Sequence, residues 1–327
     1  MVTTITTDQM FSGNYQLIDV RAPLEFARGH IPGAHNIPLF SDHLRALVGC
    51  VYAQKGKQDA MRVAMQELGP NLMDLVDQVR QIHDGRMLCV YCARGGMRSG
   101  AVAWLFSFFQ LPVVRLQDGY KNFRNWALVQ HARMLNIRVL GGKTGAGKTD
   151  FLRFLAQSGE QVIDLEALAR HKGSVFGGDK DKQATQQQFE NDLAWHMAAL
   201  DNQKHVWLED ESRKIGAVII PEPLWLRMKQ APFYVLGARL SERVERIMCE
   251  YGVLDKNFLL RALAEIKDHL GLEHYFFIKD LIDRDQFVAA IKELLLYYDK
   301  KYTHNLAHKN KNGFFVGFRY FNVLKKR

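Results

Sequence analysis

Residues 137–149 hold the pattern that most narrows the fold. The apolar run Ile137-Arg138-Val139-Leu140 breaks into Gly141-Gly142-Lys143-Thr144-Gly145-Ala146-Gly147-Lys148-Thr149, and apolar side chains resume at Phe151 and Leu152. Strand, glycine loop and helix in that order make one βα unit, and such units assemble into parallel α/β sheets. The spacing Gly142-x4-Gly147-Lys148-Thr149 suits one task. Its glycines free backbone N–H groups to cradle a diphosphate, the helix N-terminus adds positive potential, Lys148 neutralises the anion, and Thr149 offers a hydroxyl to Mg²⁺. Gly142, Lys143, Thr144, Gly145, Ala146, Gly147, Lys148 and Thr149 are therefore candidate diphosphate-binding residues.

A second strand-to-glycine transition lies upstream and ends in a thiol. Leu88-Cys89-Val90-Tyr91 is apolar, and Cys92-Ala93-Arg94-Gly95-Gly96-Met97-Arg98-Ser99-Gly100 leads from it into an apolar helix, Ala101 to Phe109. Gly95 and Gly96 let the backbone curl so that N–H groups converge, and the helix dipole adds to them. Such a cradle stabilises a thiolate at Cys92 and makes its sulfur a nucleophile or a carrier. Cys92 is the candidate catalytic residue, with Arg94, Gly95, Gly96, Met97, Arg98 and Ser99 as its anion loop. Cys89 is a poor redox partner for it, because strand positions three apart face opposite sides with Cα atoms about 10 Å apart. No second cysteine pair completes a zinc site, so Cys89 reads as a small core residue.

The flanking segments also alternate strand and helix. Tyr15 to Arg21 is a short buried strand ending in a charged pair, Pro23 to Phe26 begins a helical turn, and Gly29 to Pro38 is a glycine and proline loop. His30 in that loop reads as a hydrogen-bonded structural residue rather than a base. Helical spacing over Asp59 to Ile82, broken at Gly69-Pro70, gives two helices. Val113 to Leu116 is a strand, and Asp118-Gly119-Tyr120 turns into a helix ending near Trp126.

Beyond the phosphate loop, Gln161 to Glu166 and His205 to Glu211 are strands that end in carboxylates. The second resembles a Walker B strand, so Glu209, Asp210 and Arg213 are candidates for the magnesium or phosphate side of the site. Arg170 to Gly178 is a basic loop, either a cover for an anion or a plain connection. Arg239, Arg243 and Arg246 follow the strand Phe233 to Leu236 and share a helix face. With Glu242, Glu245 and Glu250 in the same segment, that face reads as solvated and salt-bridged rather than phosphate-binding. Phe258 to Tyr298 is helical packing.

At 327 residues the chain fits two domains, 1–130 and 131–327, each with its own core. No apolar run is long enough to span a membrane, and four scattered cysteines build no disulfide framework, so a cytosolic protein is expected. The formal charge of +9 gathers at the end: Lys300 to Arg327 carries eight Lys or Arg and no acid, interleaved with aromatic residues. That is the composition of a surface for a polyanion, or of a terminal strand with a solvated basic end.

Taken together, Leu17-Ile18-Asp19-Val20-Arg21, Gly29-His30-Ile31-Pro32-Gly33-Ala34, the Cys92 loop, and Leu116 to Tyr120 with Trp126 resemble a rhodanese domain in motif order. That resemblance implies that Cys92 carries sulfur or selenium as a persulfide or perselenide. Cys92-x5-Arg98-Ser99 also has the spacing of cysteine-dependent phosphatases, but Tyr91 stands where those have a histidine. A rhodanese-like domain followed by a phosphate-loop domain resembles the tRNA 2-selenouridine synthases, as do Glu209 to Gly216 and Tyr297-Tyr298-Asp299 with Tyr302. The resemblance implies a transferase acting on the wobble 2-thiouridine of tRNA. It geranylates sulfur from geranyl diphosphate and then exchanges it for selenium from selenophosphate, with no prosthetic group. The alternative reading is a sulfurtransferase fused to an ATP-dependent kinase or NTPase.

Overall fold

The computed structural model describes residues 2–171, 183–250, 256–309 and 313–316. Two compact units emerge from its packing: Met1–Ala132 with Thr185–Ala198, and Arg133–Ala184 with Ala199–Arg327.

The first unit is built on a parallel sheet of β1 (Thr4–Ile5), β2 (Tyr15–Asp19), β3 (His35–Asn36), β4 (Met87–Tyr91) and β5 (Val113–Leu116), in the order β1-β5-β4-β2-β3. Strand β4 is central and covered on both faces, which is why it reads as a continuous apolar run. Its side chains alternate. Leu88 and Val90 join Ile18, Val79 and Phe106 in one core, while Cys89 and Tyr91 join Leu17, Leu116 and Phe123 in the other. The expected helices are present as Lys57–Leu68 and Leu72–Ile82, with the 3₁₀ turn Gly69–Asn71 at the expected break. An additional helix, Asp42–Lys55, buries none of its residues fully; Leu44 and Val48, one turn apart, pack half-buried against the core.

The division of the chain is not contiguous. Helix Gln186–Ala199 lies within the second half of the sequence but packs in the first unit. Ala194 enters the core beside Tyr120, Phe123 and Ala127, and the Trp195 ring lies 4.8 Å from Phe11 and 6.2 Å from Trp126. Asn191, fully buried, donates through Nδ2 to the His30 carbonyl and to Tyr120 Oη, both at 2.8 Å, and accepts from Arg124 at 2.6 Å. A boundary drawn at 130/131 separates this helix from the residues it packs against.

The second unit carries a parallel sheet of β6 (Asn136–Gly142), β7 (Gln161–Ile163), β8 (His205–Glu209), β11 (Phe233–Leu236) and β12 (Gly313–Val316), ordered β12-β11-β6-β8-β7. The small antiparallel pair β9 (Lys214–Ile215) and β10 (Val218–Ile219) follows β8. Helices Leu240–Glu250, Lys256–Glu265, Leu272–Asp283 and Phe287–Lys309 enclose a separate core of Leu259, Leu263, Ile278, Ile282, Ile291 and Leu294. Of the basic loop expected at Arg170 to Gly178, residues 172–178 lie outside the described residues, as do 310–312 and 317–327 of the basic aromatic end. Among the described residues no helix is long and apolar enough to cross a membrane.

Replacing Asn191 by Ala leaves the Tyr120 hydroxyl, the Arg124 guanidinium and the His30 carbonyl short of a buried partner. The expected loss is about 2–4 kcal/mol in urea unfolding of the full chain, against less than about 0.5 for exposed Asn202→Ala.

Candidate active sites: a thiol loop and a phosphate loop

Cys92 follows the last residue of β4 and is buried, with Sγ 3.3 Å from Ser99 Oγ. Ser99 sits in the first turn of helix Met97–Phe108, so the helix N-terminus faces the sulfur. Burial by itself raises the Cys92 thiol. The hydroxyl and N–H of Ser99, the N–H of Arg94 and the positive charge of Arg98 outweigh it, and the net shift is downward. Cys89 has no such partners, and burial pushes its thiol up to about 12.

Backbone contacts shape the loop. Tyr120 N–H donates to the Cys92 carbonyl and Lys121 N–H to the Ala93 carbonyl, both at 2.9 Å, so helix Gly119–Gln130 holds the loop from below. Gly119 has φ +55°, and a Cβ there would lie 2.2 Å from the Cys92 carbonyl oxygen. Only glycine permits that approach. Beneath Tyr120, buried Arg21 pairs with Asp19, donates to the Gly29 carbonyl at 2.8 Å and lies 3.8 Å from the centre of the Tyr120 ring. The structural reading of His30 holds. Its ring stacks on Phe26 at 3.8 Å, its Nδ1 lies 3.0 Å from the Phe26 carbonyl, and its N–H donates to Gln188.

The loop arginines differ. Arg94 is exposed at the mouth of the loop, whereas Arg98 donates to Glu25 Oε2 at 2.8 Å. Glu25 is also approached by Arg45 at 3.5 Å. Arg98 is therefore a guanidinium shared between a carboxylate and the thiolate field, not an unengaged anion clamp. Met97 is exposed.

In the phosphate loop, Lys148 Nζ lies 3.2 Å from the Gly142 carbonyl and 3.4 Å from Glu209 Oε1, while Thr149 Oγ1 lies 3.5 Å from Glu209 Oε2. Gly145 and Gly147 have φ of +75° and +85°. Ala146 N–H donates to the Lys143 carbonyl at 2.9 Å, so this amide is engaged within the loop. The arginine face expected to be solvated is instead laid on the loop. Arg243, 2% exposed, donates to the Thr144 carbonyl at 3.1 Å and to both oxygens of Asp299 at 2.8 Å, and Asp299 also takes Lys143 at 3.0 Å. Arg246 donates to the Gly145 carbonyl at 3.1 Å and approaches Asp150 at 3.6 Å. Arg239 remains exposed. Helix periodicity places the three arginines together, but the packing of that helix decides that two of them meet loop carbonyls.

The carboxylates also regroup. Glu209 closes β8 and is buried, and among the described residues it gathers with Glu166 and Glu211, their oxygens all within 4.8 Å. Asp210 is half-buried beside them and Arg213 is exposed, so Arg213 does not join the group. Burial, then the charges of Glu166 and Glu209, pushes the Glu211 carboxyl up to about 8. Three crowded carboxylates beside a threonine hydroxyl form a hard-oxygen donor set of the kind magnesium takes. Glu166 and Glu211 were visible only as acids at strand ends; their convergence needs the sheet order β6-β8-β7.

A strand-borne thiol in an amide cradle and a strand-borne phosphate loop with its acid define a two-unit α/β protein, rhodanese-like first and phosphate-loop second. Residues 4–125 match the rhodanese-like domain family, and residues 135–323 match the family described as the tRNA 2-selenouridine synthase AAA domain. The chain is 36% identical to the tRNA 2-selenouridine synthase of Hydrogenovibrio crunogenus over 90% of each chain. It is 34% identical to those of Cupriavidus pinatubonensis (84% of this chain, 81% of the relative) and Salmonella agona (92% of each). The chain belongs to the tRNA 2-selenouridine synthase family.

Ser99→Ala removes one hydrogen bond to the Cys92 thiolate. The midpoint of the pH profile for alkylation at Cys92, followed by peptide mass spectrometry, is expected to move upward, while Cys89 stays unmodified in the folded protein at neutral pH.

Proposed function

We propose that the chain modifies the wobble 2-thiouridine of tRNA in two steps, one at each loop. In the first, the thiouridine sulfur bonds to C1 of geranyl diphosphate, the C1–O bond breaks, and diphosphate leaves with the electron pair. In the second, the selenium of selenophosphate, held at the Cys92 loop, bonds to C2 of the base, the C2–S bond breaks so that geranylthiolate leaves with the electron pair and takes a proton, and water then cleaves the Se–P bond to release phosphate.

The observation that carries this reading is that a thiol whose titration is shifted downward and a phosphate loop backed by lysine and carboxylate occur in one chain. The first suits a soft atom and the second a diphosphate. Lys148 and the loop amides meet negative charge where it develops as the C–O bond breaks. Thr149 and Glu209, with Glu166 and Glu211, would hold a magnesium ion, whose charge would shield the diphosphate. At the other loop, exposed Arg94 meets the selenophosphate anion, while Arg98, tied to Glu25, favours the thiolate. The names of the relatives support tRNA as the substrate, and the basic stretch from Lys300 to Arg327 supplies charge for it.

Cys92→Ser is expected to abolish selenation and spare geranylation, read by mass spectrometry of tRNA nucleosides after incubation with geranyl diphosphate and selenophosphate, separately and together. Loss of both in a folded variant refutes the division of labour. Lys148→Ala is expected to weaken geranyl diphosphate binding ten-fold or more by calorimetry, about 1.4 kcal/mol or more. Unchanged affinity removes the loop from that role, and Lys148-dependent ATP hydrolysis without geranyl diphosphate binding favours the NTPase reading.

A further inference from the structure

Helix Met97–Phe108 is apolar on both sides. Val102, Ala103, Leu105 and Phe106 face the core, while Met97 (53% exposed), Trp104 (62%) and Phe108 (68%) face outward with Ala101 and Ser107. Trp104 and Phe108 stack on each other, centroids 5.7 Å apart at 29°, and Phe109 meets Phe108 edge-on at 5.5 Å.

The surrounding charge selects the occupant. From Gly85 to Gln117 the chain has four arginines and no Asp or Glu. One of them, Arg115, lies against the outward face: a Cβ on Gly100, one turn before Trp104, would be 3.1 Å from its guanidinium. At the far end exposed Arg80 sits 5.6 Å from the centre of the Phe109 ring. Glu25 on Arg98 and Asp118 beside Gly95 are at the loop end, and Asp84, just before this segment, is paired with Arg86. Aromatic rings bracketed by guanidinium groups suit unstacked bases and their phosphates, and this face begins at the loop to which the tRNA base is presented.

We infer that the face Met97–Trp104–Phe108, with Arg115 and Arg80, is a stacking platform for single-stranded nucleotides of the tRNA substrate, flanking the uridine presented to Cys92. Trp104 stands seven residues, about 10 Å, along the helix from Met97, so a base held there is a near neighbour of the reacting one. This inference rests on the tRNA reading above.

The test uses the full chain and an anticodon stem-loop RNA carrying 2-thiouridine. If wild type does not bind this RNA, the tRNA reading itself fails. If it binds, Trp104→Ala is expected to weaken binding about five-fold or more, Trp104→Phe to restore most of it, and Arg115→Ala to reduce the slope of log affinity against log salt. Cys92 alkylation stays at the wild-type rate in each variant, which separates docking from folding. A stem-loop bearing 5-iodouridine next to the wobble position is expected to photocrosslink to the peptide containing Trp104. Unchanged affinity and no crosslink there overturn the inference. So does a wild-type dimer, seen by sedimentation, that Trp104→Ala converts to monomer without loss of RNA binding.

Discussion

The structure depends on what happens to backbone amides where a buried parallel strand ends. Each central strand, β4 and β6, spends its N–H and C=O groups on two neighbours, and at its last residue that pairing stops. The next few amides must find partners or face a ligand. At both loops glycines turn those amides inward, and the element that follows holds the outward carbonyls. In the first unit helix Gly119–Gln130 does this, binding the carbonyls of Cys92 and Ala93 through its own first N–H groups. In the second, the side chains of Arg243 and Arg246 do it, binding the carbonyls of Thr144 and Gly145.

That difference bears on the chemistry. A trans peptide is planar, so a carbonyl fixed in one direction fixes the following N–H in the opposite one. Arg243, clamped by Asp299, therefore sets the Gly145 amide as well as adding positive charge beside the loop. Such a clamp costs little reorganisation when an anion arrives, because the guanidinium is already paired and immobile. The thiol loop is held by the backbone of the following helix, by the Ser99 hydroxyl on the Gly96 carbonyl and by the Arg98–Glu25 pair, and Ser99 and the field of Arg98 also act on sulfur.

The motifs were legible in the sequence because each is local: a strand, a glycine at a fixed spacing and a helix lie within about fifteen residues. Cys92, Lys148 and Thr149 stand where those patterns put them, and Cys89 is the core residue that strand alternation required. What the sequence hid is non-local. Glu166 and Glu211 meet Glu209 only through strand pairing across β7 and β8. Arg243 and Arg246 carry helix spacing that fits a salt-bridged surface equally well, and only tertiary packing separates the two. Helix Asp42–Lys55 meets the core through half-buried Leu44 and Val48 and buries no residue fully, so its period is weak.

Helix Gln186–Ala199 is the strongest case of non-local structure. The rhodanese-like segment alone would expose Phe11, Phe123 and Trp126 and leave the Tyr120 hydroxyl without Asn191. Tyr120 is also the residue whose N–H supports the Cys92 carbonyl and whose ring covers the Arg21–Asp19 pair. The thiol loop is thus completed by residues encoded after the phosphate loop, so the shape of the first site depends on the chain having passed through the second half of its sequence. A division of the chain at residue 130 would keep every motif of the thiol loop and remove part of its support.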